Sequence, residues 1–479
     1  MPSTIERLSQ YRFVISLVTS LLIWVTFGIH LGDVGRLIAV VVFMKFLWIF
    51  EIVPIAVTAL LPVLLFPALD ILSLRETIQQ YSHPIMFLFL GGFSLALALE
   101  SSGLHRRVAF YALTLASLRL DYIVAAFMAV TAFLSMWISN SATAIMMLPV
   151  ALSVGEVIKN QVPDAVVKRF RTVLMLSIAY SANIGGVATL IGSPPNALYA
   201  AFMRRDLNVD VTFLDWMLIG LPLSLIMLPF AWFLLTKVLF PLPSTKVVES
   251  RDLFVHELST LGKMSHYEKR VGLVFVATVF LWISHPIFTE LFGIKMKIDD
   301  AQIAIVALVS LFLIPRESGA VEKLMEWKVM KEIPWEVLIL FGGGLAIAHA
   351  IGSLSLTDFL QTWADKVSGV PIFILVVGLS LAILFMTEVT SNTATAAAFL
   401  PLASSFATAI DVPSQVFLIP VTLASSCAFM LPIATPPNAI VYGTGAFTIN
   451  QMVKAGFALN VVSALVIAIL TTIYLELIW

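Results

Sequence analysis

Two short runs of small polar residues stand inside otherwise apolar sequence: Ser139-Asn140-Ser141-Ala142-Thr143-Ala144, followed by Leu148-Pro149, and Ser391-Asn392-Thr393-Ala394-Thr395-Ala396, followed by Leu400-Pro401. The copies lie 252 positions apart. A second doublet follows each: Gly192-Ser193-Pro194-Pro195-Asn196 and Ala434-Thr435-Pro436-Pro437-Asn438. These residues bring hydroxyls, amides and helix breaks, and no formal charge. Carbonyls freed at a break, together with hydroxyl and amide oxygens, suit a hard cation such as Na+. The N–H groups at helix N-termini carry partial positive charge and suit an anion. Neither tip has a Lys or Arg beside it, so an anion held there would be balanced by dipoles and bound cations.

The elements that position these runs are set by composition. The chain has 479 residues, of which 60% are hydrophobic and 12% charged, with a mean hydropathy of +1.00. That is far more apolar than a soluble domain, and it predicts an all-α integral membrane protein. Apolar runs long enough for ~30 Å of hydrocarbon fall at 12–30, 35–52, 53–70, 84–104, 170–203, 213–240, 270–290, 299–315, 334–352, 413–446 and 452–478. The stretches 121–155 and 370–409 are apolar but broken at the Ser-Asn tips, and read as re-entrant hairpins. Such hairpins are tolerated only where their backbone is buried in protein or lines a wet cavity. The expectation is therefore about 11 transmembrane helices plus two hairpins.

With the N-terminus cytoplasmic and the C-terminus outside, most of the 28 Lys and Arg residues fall inside, among them Arg106, Arg107, Lys168, Arg169, Lys263, Lys269 and Arg270. Few fall outside: Arg36, Arg75, Arg204, Arg205, Lys295, Lys297 and Lys366. This bias follows the positive-inside rule. The pairs Gly91-Gly92 and Gly343-Gly344 share the 252-residue offset, and they sit in the fourth and ninth spans. An odd difference of five inverts the second copy, so the hairpins enter from opposite faces and meet tip to tip. Inverted-topology repeats of this kind carry alternating-access transport.

Other classes fit poorly. The net charge of −1 gives no reason to expect nucleic acid. Cys427 is the one cysteine, so no intrachain disulfide forms. His256-Glu257 is followed by Thr260 where a zinc protease needs a second His, and no P-loop is present; the chain reads as neither an enzyme nor an ATPase, and no cofactor is implied. The longest polar stretch, 241–270, is too short for a soluble domain. The first apolar run is followed by His30-Leu31-Gly32-Asp33, not a small-residue cleavage site, and reads as a retained span. Glu388 is costly at membrane depth. It reads either as a coupling site or as a structural carboxylate bonded to the hairpin's own N–H groups, with Met136 at its repeat position. Trp137 reads as an interface anchor more readily than as a substrate contact.

The paired tips, the paired Pro-Pro-Asn breaks and the run Ser425-Ser426-Cys427-Ala428-Phe429-Met430-Leu431-Pro432-Ile433-Ala434-Thr435-Pro436-Pro437-Asn438-Ala439-Ile440-Val441 resemble the divalent anion/sodium symporter family of di- and tricarboxylate transporters, over nearly the whole chain. The resemblance implies a homodimer in the plasma (inner) membrane with a static scaffold and a transport part moving as an elevator. It divides the chain into 1–120 (scaffold spans of the first repeat), 121–240 (first hairpin and broken span), 241–369 (linker and second-repeat scaffold) and 370–479 (second hairpin, broken span and last helix). It also implies that Asn140, Ser141, Ser193, Pro194, Asn392, Thr393, Thr435 and Pro436 contact substrate carboxylates. Ser135, Ser139, Asn140 and Gly192 would form one Na+ site, and Thr387, Thr390, Asn392 and Ala434 a second, Thr390 and Ala434 through main-chain carbonyls. Where the family has Thr, this chain has Ser141, which keeps the hydroxyl and loses a methyl. The implied activity is sodium-coupled import of succinate, malate, fumarate, citrate or 2-oxoglutarate; similar proteins include cation-independent dicarboxylate exchangers, and a sulfate or other anion transporter is a further alternative.

Overall fold

A computed structural model describes residues 18–19, 32–50, 52–117, 119–247, 249–292, 298–353, 367 and 369–478. The first expected span, 12–30, lies almost wholly outside them. Among the described residues the regular elements are helices, apart from two isolated β-bridges, Arg119 with Lys246 and Pro315 with Lys323.

The first part of the chain forms α1 (Asp33–Phe50), the short α2 (Ile55–Ala59) and α3 (Leu61–Ala68), α4 (Leu74–Gln79), α5 (Pro84–Ser102) and α6 (Leu104–Thr114). Ser73 and Glu76 start α4 with a reciprocal capping box, and Pro84 starts α5 at a position that needs no N–H. Gly103, at φ 77°, is left-handed between α5 and α6. The first hairpin is α7 (Leu120–Ser135) and α8 (Asn140–Val157), followed by α9 (Asp164–Val187) and α10 (Pro194–Leu207). Next come α11 (Phe213–Phe233), closing in a π-turn at Leu234–Leu239, α12 (Glu249–Thr260), α13 (His266–Phe292), α14 (Asp300–Leu313) and α15 (Trp335–Ser353). The second hairpin is α16 (Ile372–Thr387) and α17 (Asn392–Ala409), then α18 (Gln415–Ser426), α19 (Pro436–Tyr442) and α20 (Ile449–Ile478).

Six helical stretches among the described residues are long and apolar enough to cross a membrane: Leu74–Ser102, Asn140–Val157, Phe213–Leu239, His266–Phe288, Trp335–Ser353 and Ile449–Leu475. The expected spans 170–203 and 413–446 break ahead of Pro194 and Pro436, as the Pro-Pro-Asn runs imply; the stretch 53–70 also turns, at Leu60, which was not expected. The polar stretch 241–270 contains α12, which composition did not suggest; it packs on α6 and α8.

Two hydrophobic clusters form. The smaller joins Leu37, Met44, Trp48, Ala59 and Phe66 of the first helices to Leu340, Ile347 and Ile351 of α15. The larger holds most of the rest, including both broken spans. Bare glycine backbone sets the tightest helix crossings. A Cβ on Gly91 would stand 2.4 Å from Ala304 O, and one on Gly343, its repeat counterpart, 2.4 Å from Ala59 O. The neighbours Gly92 and Gly344 would meet Ile191 at 3.0 Å and Ala397 at 2.9 Å, so α5 packs close to a helix break and α15 close to a hairpin arm.

Gly91→Leu and Gly343→Leu should each force two backbones apart, a change that costs ~1–3 kcal/mol or more where a core cannot adjust. Gly378, with nothing within 4 Å of its Cβ position, is the control. Purified variants compared by thermal unfolding should show a lowered midpoint for the first two and a near wild-type midpoint for Gly378→Leu.

Candidate binding site

Both tips and both breaks face a single cavity of about 1060 Å³. From the first half it is lined by Ser139, Asn140, Ser141, Gly192, Ser193 and Pro194, and from the second by Thr390, Asn392, Thr393, Ala434, Thr435 and Pro436. Ser135 and Thr387 are fully buried one layer behind it. All the residues singled out from sequence for anion or cation binding are thus gathered in one place.

The tips are short because each second arm begins at the Asn. Ser139 caps α8 by accepting a hydrogen bond from Ala142 N at 3.2 Å. Behind the first tip, the Ser135 hydroxyl lies 2.6 Å from Asn140 Oδ1 and 2.7 Å from Ala182 O. Behind the second, Thr387 Oγ1 lies 2.7 Å from Asn392 Oδ1 and 3.0 Å from Ser425 O. In each case one proton serves two acceptors, leaving an oxygen cluster one proton short. A hard cation satisfies such a cluster, so the donor sets fit Na+. Thr390 donates to Met386 O at 2.8 Å and accepts from Thr395 Oγ1 at 2.7 Å, so its hydroxyl is engaged within its own hairpin.

The breaks are held by residues that motif reading recorded only as punctuation. Asn196 Nδ2 donates to Gly186 O at 3.0 Å and Thr189 O at 2.7 Å. Asn438 Nδ2 donates to Ala428 O at 3.2 Å and Leu431 O at 3.0 Å. In both halves the Asn of Pro-Pro-Asn therefore staples the carbonyls ten and seven residues before it. Gly186 was also missed. A Cβ there would stand 2.5 Å from Asn140 Oδ1 and 2.9 Å from Gly192 O, so its bareness makes the room between two of the expected cation ligands. Its signal was faint, a Gly-Gly pair in a span full of small residues.

Glu388 is 3% exposed and takes four hydrogen bonds: from Phe429 N at 2.8 Å, Met430 N at 2.9 Å, Leu431 N at 3.0 Å and Asn460 Nδ2 at 2.8 Å. It is a structural carboxylate, but its donors belong to the broken span and the last helix, not to its own hairpin as expected. The reason is an asymmetry between the halves. Helix α9 runs on to Val187, whereas α18 stops at Ser426, so the N–H groups of 429–431 lose their helical acceptors. Where Glu388 does this work, the first half has Met136, whose carbonyl accepts from Thr189 Oγ1. Trp137 stacks on Phe213 at 6.1 Å and meets Phe275 edge-on at 5.1 Å; it packs the hairpin and does not line the cavity.

The opposite wall is of different chemistry. Its lining from 1–120 and 241–369 includes Trp48, Ile55, Phe93, Ala96 and Leu340, with the exposed carboxylates Glu100, Glu332 and Glu336. Among the described lining residues there is no Lys or Arg.

An all-helical membrane-spanning chain with two polar hairpin tips and two helix breaks around one cavity has the architecture of a transporter. The chain belongs to the family described as the sodium:sulfate symporter transmembrane region, whose model matches residues 8–479, and it is a membrane transporter, not an enzyme. It is 37% identical over 446 residues to the sodium-dependent dicarboxylate transporter SdcS of Staphylococcus saprophyticus, covering 92% of this chain and 86% of that one. To the protein of the same name from Staphylococcus aureus strain USA300 it is 36% identical over 425 residues, 88% of this chain and 82% of the relative.

Removing the Glu388 carboxylate strands three buried N–H groups, each worth ~1–3 kcal/mol when left unpaired. Glu388→Ala should lower the thermal midpoint sharply and Glu388→Gln less so. A Glu388→Ala protein as stable as the parent would refute the structural role.

Proposed function

We propose that this protein imports small dicarboxylates, of the succinate, malate and fumarate class, in symport with Na+ across the plasma membrane. The observation that carries this reading is the pairing inside one cavity of two proton-poor oxygen clusters with cap hydroxyls and helix N-termini. The clusters at Ser135/Asn140 and Thr387/Asn392 hold Na+; Asn140, Ser141, Ser193, Asn392, Thr393 and Thr435 hold the two carboxylates. The N-termini of α8, α10 and α17 add favourable dipoles. With no Arg or Lys among the described lining residues, the anion's charge is offset mainly by the cations, which couples the two ligands: each binds poorly without the other. The relatives' sodium dependence and dicarboxylate substrates support the same reading.

The cavity walls support an elevator. The tip and cap groups belong to 121–240 and 370–479, while the facing wall from 1–120 and 241–369 is apolar apart from three exposed carboxylates. A neutralised load can slide past such a wall without exchanging ligands. With the basic loops cytoplasmic, the exposed Glu100 at the end of α5 and Glu332 just before α15 support a cavity that opens toward the cytoplasm, an inward-facing conformation. We place the N-terminus inside and the C-terminus outside, and assign the working unit as a homodimer in which the first and third segments are the scaffold.

Uptake of labelled succinate into proteoliposomes decides the coupling. Accumulation driven by an inward Na+ gradient, with no carboxylate inside, is the expected result. Uptake indifferent to Na+ but dependent on internal succinate would make the protein an exchanger, and uptake of sulfate in place of any carboxylate would change the substrate class. In the same assay Asn140→Ala and Asn392→Ala should each reduce transport to background while the purified variants elute as the parent does; substantial transport by either removes that residue from the site.

A further inference from the structure

Asn183, on α9, is 0% exposed and borders the cavity itself, and it reaches from the first half of the chain into the break of the second. Its amide nitrogen donates to Ala428 O at 3.0 Å and to Thr435 Oγ1 at 3.1 Å. A carbonyl only accepts, so Ala428 dictates which end of the amide faces it and makes Asn183 a donor to Thr435. Thr435 Oγ1 also takes the N–H of Asn438, at 3.4 Å, in capping α19. Both lone pairs of this hydroxyl are thereby occupied. Among the described residues no hydrogen bond uses its proton, and Thr435 lines the cavity.

The other half repeats the device with different chemistry. Ser426, 1% exposed on α18, lies 2.9 Å from the hydroxyl of Ser193, the residue just ahead of Pro194 in α10. Ser193 lines the cavity and Ser426 does not. Were Ser193 the donor, the Ser426 proton would be buried without an acceptor, which is costly. With Ser426 as donor, that proton is used and the Ser193 proton is left for the cavity.

We propose that Asn183 and Ser426 are positioning residues for anion recognition. Each crosses from the first helix of one broken span to the cap hydroxyl of the other, and fixes that hydroxyl as a proton donor to a carboxylate oxygen. The inference rests on the dicarboxylate reading above and deepens it. A hydroxyl is amphoteric, and one free to rotate can turn its proton to a nearby carbonyl and present lone pairs, which repel an anion and attract a cation. Supplying the acceptor side from behind removes that choice. The same logic sorts the ligands. Ser135 and Thr387 have acceptor oxygens in excess and face the cations; Ser193 and Thr435 have protons to give and face the anion. Because both bonds run between the halves, the donors also hold the two broken spans in register around the substrate.

A double-mutant cycle tests this through Thr435. Succinate KM and maximal rate are measured in proteoliposomes under a fixed Na+ gradient for the parent, Asn183→Leu, Thr435→Val and the double variant. The stabilisation of each purified protein by Na+ alone is followed by thermal unfolding. Hydrogen bonds to charged groups translate to roughly tenfold to a hundredfold in affinity, so each single change should raise the succinate KM by about tenfold or more. The double variant should be no worse than Thr435→Val, Thr435→Ser should restore the parent's KM, and the Na+ stabilisation and maximal rate should stay within about twofold. KM effects that multiply, an unchanged KM in Asn183→Leu, or loss of the Na+ response together with the succinate response would overturn the inference. If Asn183→Leu does not fold, the mirrored cycle of Ser426→Ala with Ser193→Ala decides by the same criteria. A parent protein that takes up no succinate overturns the dicarboxylate reading itself, whereas additive effects in an active protein overturn only the positioning role.

Discussion

A backbone N–H or C=O left unpaired in the interior of a membrane has no water to turn to, and among the described residues the helices that line the cavity break at 136–139, 188–193, 388–391 and 427–435. The rest of the site is arranged around that cost. Asn196 and Asn438 take up the carbonyls of the two breaks, Ser139 caps one tip, and Glu388 gathers the three N–H groups released where α18 stops early. The halves solve one problem in two ways. The first extends its helix to Val187; the second ends at Ser426 and needs a charged acceptor, which in turn ties the second hairpin to the last helix through Asn460.

Once the backbone is satisfied, what remains exposed to the cavity is chosen, not left over. Two clusters retain more lone pairs than protons, two cap hydroxyls retain protons, and the facing wall is mostly apolar. On the proposed reading, a site of this composition would neutralise an anion with cations and not with basic side chains.

The paired glycines contribute to close helix packing. Gly91 and Gly343 admit backbone carbonyls of other helices, from Ala304 and Ala59, at distances a side chain forbids. Their partners Gly92 and Gly344 bring in Ile191 and Ala397, one in a break and the other in a hairpin arm. Helices α5 and α15 thus touch the site-bearing elements through the same two-residue device in each half.

Much of this was legible in the chain itself. Apolar content established the membrane, duplication of Ser-Asn-Ser/Thr and Pro-Pro-Asn located the cavity residues, and the 252-residue offset picked out the glycine pairs before any contact was known. These signals survive in one dimension because they are local: a break needs its Pro and Gly, and a repeat preserves its spacing. Helix α12 and the turn at Leu60 escaped, since neither is marked by composition. The roles of Asn183, Ser426 and Gly186 could not be read from sequence, and for Glu388 the sequence offered a structural carboxylate on N–H groups without saying which ones. Asn183 meets Thr435 across 252 residues, and Glu388 meets the N–H groups of 429–431 only because α18 ends one turn sooner than α9. Residue type states that a group can give or take a proton; only the fold, by fixing which neighbours face it, decides which of the two it does.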